Sequence, residues 1–435
     1  MLISLIKKSN EKIPYWIKKP FSKIIRNGLI KNRQFLDTYF FLCEYDLMSD
    51  NEKEKLQLKY LKKTLEHAYK HTKYYHNLFN SVGFGVNSIE NLSDLEKIPI
   101  LTKDILKNNL EDILADDISD FYQVTTGGTN GEPIKVQMEK NAIYREWAFV
   151  YHYWSKFGYD YKTTKLATLR GVDLGNKLYE INPLYSEIRL NPFALNENNM
   201  DKYIGAIDRF GADMIYGYPS AVYNFCRILD KKGIEVKDKF KAAFLISENL
   251  YGFQEDMIKK VLNCNIAIFY GHSERAVFAE KYNQGYLFNS LYGAIEFNEN
   301  HEPIVTGFIN RKTPLIRYLL DDEATPIGKE FEISGHHSSE VLVGYNNEQV
   351  SMAAINLHDD TFKDVKEYQF LQEEVGKCIL RIVAEKEMGP QQLEKIKRRI
   401  EKKLGRGFIC TPVLVDAIEL SRRGKYKMLI SKLHI

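Results

Sequence analysis

The sequence predicts an α/β protein, with a large N-terminal domain of helices and mixed or parallel sheet followed by a small α+β C-terminal domain. Two observations carry this. Between about residue 120 and residue 320, short apolar runs closed by Gly, Pro or Ser turns alternate with helical patterns, the arrangement from which parallel sheets are built. Beyond about residue 330 the texture changes to short strand-like runs around one charged helix. The 435 residues are too many for one small core, and 44% hydrophobic with 27% charged residues is an ordinary globular composition.

Residues 1–54 read as a basic arm with helices, 55–334 as the large domain and 335–435 as the small one. In the arm Lys7, Lys8, Lys12, Lys18, Lys19, Lys23, Arg26, Lys31 and Arg33 face one acid, Glu11, among Leu, Ile, Trp and Phe. Pro14 and Pro20 break any long helix. Such an arm either makes weak peripheral contact with an anionic membrane face or packs on its own domain. Residues 51–80 read as helix from the spacing of Leu56, Leu61, Leu65, Ala68 and Tyr69. Thr102, after Pro99, reads as a helix N-cap. Strands are expected over Lys165–Leu169, Met214–Tyr216, Ala243–Ile246 and Ile266–Tyr270. In the small domain, Glu340–Gly344 and Lys377–Val383 flank a helix over Pro390–Leu404, and a last strand pair falls near Thr411–Ile418 and Lys427–Ile430.

Several function classes fall away. A net charge of +3 gives no case for nucleic-acid binding. Cys43, Cys226, Cys264, Cys378 and Cys410 are scattered and include no C-x-x-C pair, so neither a cysteine zinc site nor a disulfide framework is expected. No apolar run approaches the ~20 residues that cross a bilayer, and the first residues lack a secretory signal, which together predict a cytoplasmic protein.

Four segments carry chemistry. Thr125-Thr126-Gly127-Gly128-Thr129-Asn130-Gly131-Glu132-Pro133 has the composition of a phosphate cradle, because glycines let successive N–H groups converge on an anion and hydroxyls add donors. A plain hairpin turn has the same composition, and no Walker loop is present. Tyr270-Gly271-His272-Ser273-Glu274 follows an apolar run, where open α/β sheets place ligands. There an aromatic can stack on a base, a hydroxyl can meet phosphate and a carboxylate can hold Mg²⁺. The alternative is a strand-to-helix turn with Ser273 as N-cap. Thr306-Gly307-Phe308-Ile309-Asn310 and Pro314–Asp322 end in two acids that either accept from ribose hydroxyls or occupy a surface turn. Arg422-Arg423-Gly424-Lys425 offers a cation near the C-terminus, or a basic tail.

In this order and spacing the four segments resemble the adenylate-forming acyl ligases, and within them the phenylacetate–CoA ligase-like branch that includes CapK-type capsular polysaccharide proteins. The Thr-rich loop is similar to that superfamily's S/T-rich phosphate loop, Tyr270–Glu274 to its Y-G-x-[ST]-E motif, Tyr318–Asp322 to Y-R-x-G-D, and Gly424-Lys425 to its C-terminal G-K. Leu95–Lys103, Ile215–Ser220 and Pro314–Tyr318 support the branch, and the resemblance runs from about residue 55 to the end. It implies ATP-dependent, AMP-forming activation of a carboxylic acid, then acyl transfer to coenzyme A, a carrier or an amino sugar. It further implies that Thr125, Thr126, Gly127, Gly128 and Thr129 cradle phosphates, and that Ser273 touches the α-phosphate while Glu274 binds Mg²⁺. Ser247, Glu248, Asn249, Tyr270 and Gly271 would line the nucleotide site, Asp322 would hold the ribose, and Lys425 would be the catalytic cation on a mobile C-terminal domain. His336 would lie near the hinge. Tyr216, Tyr218, Pro219 and the aromatic helix Tyr144–Trp154 form either an acyl pocket or core.

The chain departs from the family pattern at Glu132, Leu319, Asp321 and Gly335-His336, where the family has Lys, Arg, Gly and Gly-Arg. A histidine replaces one donor of that arginine but not its planar fork. The departures leave two rival readings: a nucleotide-binding scaffold with impaired catalysis, and a membrane-surface assembly protein using the arm.

Overall fold

The computed structural model describes residues 31–125, 135–170, 174–247, 250, 252–283, 285–320, 322–335, 341–352, 355, 360–362, 364–384, 386–419 and 429–433. The basic arm therefore lies almost wholly outside the described residues. The helices α1 (Arg33–Asp46), α2 (Asp50–His71) and α3 (Lys73–Ser81) come first. A capping box of Ser49 and Glu52 starts α2, which buries Leu61, Leu65 and Ala68 along one stripe. The single helix expected over 51–80 is two, because Thr72 turns extended, ends α2 and accepts a hydrogen bond from Tyr75 N to start α3. Thr102 caps α4 (Lys103–Asn108) as expected, its side chain accepting from Ile105 N, and α5 (Leu110–Ile113) follows.

Next come a hairpin of β1 (Phe121–Thr125) and β2 (Lys135–Glu139), then α6 (Ala142–Ser155). The expected alternation is confined to the stretch β3 (Leu166–Leu169), β4 (Tyr179–Asn182), β5 (Glu187–Leu190), α7 (Met200–Phe210), β6 (Met214–Gly217), α8 (Pro219–Lys232), β7 (Ala242–Leu245) and α9 (Gly252–Leu262). After β8 (Asn265–Gly271) the strands run antiparallel instead: β9 (Phe278–Tyr282), β10 (Gly285–Phe288), β11 (Gly293–Phe297), β12 (Pro303–Gly307), β13 (Tyr318–Leu319), β14 (Glu323–Ile327) and β15 (Glu330–Gly335). The links among β8, β9 and β10 are too short for the crossover a parallel pair needs. The C-terminal part holds β16 (Val341–Val343), β17 (Gln349–Ser351), β18 (Val365–Glu374), β19 (Lys377–Ala384), α10 (Pro390–Leu404), β20 (Ile409–Leu414) and β21 (Leu429–Ser431).

The chain forms two compact units. The first comprises Met1–Thr126, Ile134–Lys162 and Ile268–His336. Its core joins Leu61, Leu65, Tyr75, Phe79, Leu101, Tyr270, Val305, Tyr318 and Phe331. Strands β8, β9, β10, β15 and β14 are neighbours in that order, and β11, β12 and β13 make a three-stranded sheet. The second comprises Gly127–Pro133, Thr163–Ala267 and His337–Ile435. In it β7, β6, β3 and β5 run parallel, with β4 antiparallel at the edge. Its C-terminal sheet has the order β20-β19-β18-β21 over a core of Leu342, Phe370, Leu380, Ile396, Ile400 and Phe408. The expected terminal strand pair is not a pair: β20 lies parallel to β19 at one edge and β21 parallel to β18 at the other. The large domain expected over 55–334 is distributed over both units, and residues 163–267 cluster with the C-terminal part.

Candidate active site

In the first unit, the end of β8 and the chain after β13 meet. Tyr270, the penultimate residue of β8, donates its hydroxyl to Asp322 Oδ2 at 2.5 Å. His272 Nε2 lies 2.6 Å from the same hydroxyl and 2.9 Å from Asp322 Oδ2. Asp322 is 3% exposed and Tyr270 6%. A buried carboxylate needs such partners, since desolvating an isolated one costs far more than folding can supply. Burial, then Asp322, pushes the Tyr270 hydroxyl well above its ordinary pKa, so it stays a donor. For His272, burial works against the imidazolium, but Asp322 and Glu274 outweigh it and the pKa rises.

The Tyr270 ring packs among Tyr286 and Phe331, each 6.1 Å away between centroids. It thus offers its hydroxyl rather than an open face for base stacking. No helix follows β8; a turn returns the chain into β9, so Ser273 is an exposed turn residue and not an N-cap. Glu274 is buried, 5% exposed. The turn is held from outside by Arg275, whose φ is +53°. Its guanidinium pairs with Glu146 and donates to Tyr122 Oη at 2.6 Å.

The strand that delivers Asp322 is fixed by residues distant in sequence. Arg317, 8% exposed with φ +50°, donates to Ile98 O at 2.5 Å and pairs with Glu296 at 3.0 Å. Tyr75 Oη donates to Pro314 O at 3.0 Å and accepts from Ile316 N at 3.2 Å. The hairpin β1–β2 is braced likewise. Asn310 Oδ1 accepts from Glu139 N at 3.0 Å, and Asn310 Nδ2 and Thr313 Oγ1 both donate to Gln137 O at 2.9 Å. Thr125 pairs with Lys135 at the end of that hairpin. Thr126, Gly127, Gly128 and Thr129 lie outside the described residues, as do Glu248, Asn249, His336 and Lys425.

The second unit groups the other predicted residues. Tyr216 and Tyr218 flank Arg170, whose guanidinium carbon sits 5.3 and 6.0 Å from their ring centroids and whose Nη1 donates to Tyr216 Oη at 3.1 Å. Arg170 follows directly on β3, a strand-end position that marks ligand sites in α/β sheets, yet the sequence reading passed over it. Pro219 is the first residue of α8. Ser247, just past β7, holds φ +64°, a strained backbone of the kind that collects at functional sites. In α6, Tyr144, Phe149, Tyr153 and Trp154 are buried, and Phe149 packs on Phe278 and Tyr292, so its inner face is core.

Residues 342–432 match the family model described as CapK C-terminal domain. Protein CapK of Staphylococcus aureus is 23% identical over 366 residues, 79% of this chain and 81% of that one. Phenylacetate-coenzyme A ligase of Escherichia coli K12 is 34% identical over 97 residues, 22% of each chain. Among solved structures, 2-hydroxyisobutyryl-CoA ligase with 2-HIB-AMP and CoA superposes with a TM-score of 0.56 at 15% identity, covering 88% of this chain and 91% of that one. An open conformation of that ligase gives 0.51 at 16% identity, covering 88% and 92%. The chain therefore has the fold of adenylate-forming CoA ligases, and its resemblance to the phenylacetate–CoA ligase-like, CapK-type branch stands. No described helix is long and apolar enough to cross a membrane.

Proposed function

We propose that this chain is an AMP-forming acyl ligase that uses ATP to convert a carboxylic acid to an acyl adenylate and then passes the acyl group to coenzyme A. The observation that carries this is the meeting of Tyr270 and Asp322, contributed by two motifs that the family resemblance had singled out separately, beside the buried carboxylate of Glu274. In the first half-reaction a carboxylate oxygen attacks the α-phosphorus and the bond to pyrophosphate breaks. In the second the acceptor thiol attacks the acyl carbon and AMP leaves.

Asp322 would accept from ribose hydroxyls, and Tyr270 and His272 hold that carboxylate in one orientation. Ser273 would donate to phosphate, and the 125–129 segment would supply further N–H and hydroxyl donors. Glu274 fits a hard cation, being a buried carboxylate oxygen donor. Mg²⁺ held there supplies charge neutralisation at the phosphates. Lys425 would bridge the carboxylate and the α-phosphate. Arg170 with Tyr216 and Tyr218 would read the acid, and surface-polysaccharide assembly is the pathway that the CapK-type resemblance favours.

The test is acid-dependent exchange of labelled pyrophosphate into ATP across a panel of carboxylic acids. Exchange above the acid-free rate is expected with at least one acid. ATP binding without exchange for any acid would favour the scaffold reading, which Leu319, Asp321 and Gly335-His336 motivate.

A further inference from the structure

Away from the Tyr270–Asp322 cluster, the first unit holds a second group of titratable side chains. His67 and His71 are four residues apart on α2 and so share one face of the helix, with ring centroids 5.0 Å apart. Asp117 lies opposite them. His67 Nε2 is 3.1 and 3.2 Å from its two carboxylate oxygens. Taking one ligand atom from each of the three residues, all lie within 4.8 Å of one another. Behind them Asp116 Oδ1 stands 3.0 Å from His71 Nδ1.

From this geometry we infer a binding site for a borderline transition-metal dication, Zn²⁺ foremost, with His67, His71 and Asp117 as ligands and Asp116 as the carboxylate that orients His71. Two imidazoles and one carboxylate suit zinc-like ions and not Mg²⁺ or Ca²⁺, which take oxygen donors. Donation of the His71 Nδ1 proton to Asp116 leaves Nε2 for the metal, the outer-shell arrangement usual for ligating histidines. A tetrahedral ion with ~2.1 Å bonds spaces its ligand atoms by about 3.4 Å, close to the His67–Asp117 separation already present. Backbone and side-chain hydrogen bonds brace the scaffold: Asp116 N donates to His71 O at 2.9 Å, and Ala115 exchanges two hydrogen bonds with Lys312, at 2.9 and 2.8 Å. Arg311 is the nearby opposing charge, and it is paired with Glu139 at 3.0 Å. A bound ion would tie the end of α2 to the 115–117 turn that leads into β1.

Equilibrium dialysis of the full chain against Zn²⁺, without nucleotide and read by metal analysis, tests this. One Zn²⁺ per chain is expected, undisplaced by a large excess of Mg²⁺. His67→Gln and His71→Gln should each weaken binding at least ~10-fold, and Asp116→Asn should weaken it with the ligands intact. Co²⁺ bound in place of Zn²⁺ should show visible absorption that His67→Gln abolishes. Sub-stoichiometric uptake, or full affinity in the His67→Gln/His71→Gln double variant, would overturn the site by placing the metal elsewhere. Should the double variant unfold by circular dichroism, the His71→Gln variant decides, because that side chain is 35% exposed and its loss spares the core.

Discussion

At the scale of single residues, the site turns on one carboxylate oxygen. Asp322 Oδ2 takes both the Tyr270 hydroxyl and His272 Nε2, so a side chain in the variable position of the sequence motif becomes a partner of the residue 50 positions on. Glu274 adds to the field that favours the imidazolium. The raised pKa has a thermodynamic consequence. A histidine that binds its proton more tightly when folded stabilises the fold fully below the unfolded value of ~6.5. That contribution is lost as pH rises through the higher folded value. The stability difference between the wild type and His272→Gln should therefore be largest near pH ~5 and shrink toward pH ~9, read from urea midpoints across that range. A difference that grew with pH would mean that His272 is held neutral.

At the scale of elements, the parallel strands end where chemistry is placed, and close packing fixes those ends. A Cβ on Gly217, the last residue of β6, would sit 2.3 Å from Leu169 O on the neighbouring β3. That glycine lets Tyr218 N donate to Leu169 O at 3.0 Å and brings Tyr216 and Tyr218 around Arg170. Gly217→Ala should cost about 3 kcal/mol in urea unfolding, the scale of forced overpacking, and a loss below about 0.5 kcal/mol would mean that the strands part freely. Much of this was legible. Helix α10 and strands β3, β6, β7, β8 and β19 follow from apolar spacing and breakers, because those signals are local. Tyr270, Glu274 and Asp322 were legible as motif residues. The contacts of His272, those of Arg170 with Tyr216 and Tyr218, and the buried anchors Arg317 and Tyr75 were not, since each depends on partners far along the chain. The split of β20 and β21 to opposite edges was hidden for the same reason: adjacency in sequence says nothing of which strand intervenes.

At the scale of the whole chain, residues 163–267 and residues 337–435 fall in one compact unit, and between them lies a cavity of about 1280 Å³. Its walls come from the 191–199 segment, α8, the chain entering β17 and the end of α10. Lys231, paired with Glu197, belongs to that lining, and so do Lys402 and Arg406, two exposed residues at the end of α10. If the proposed acceptor is coenzyme A, its phosphates would be drawn to those two cations, and adenylation would not involve them. Lys402→Glu with Arg406→Glu should then raise KM for coenzyme A about 10-fold, equivalent to about 1.4 kcal/mol, and leave pyrophosphate exchange at the wild-type rate. Steady-state thioester formation measured beside exchange separates the two half-reactions. Equal loss of both would place the cations in folding or in adenylation, and an unchanged KM would remove the cavity from the acceptor's path.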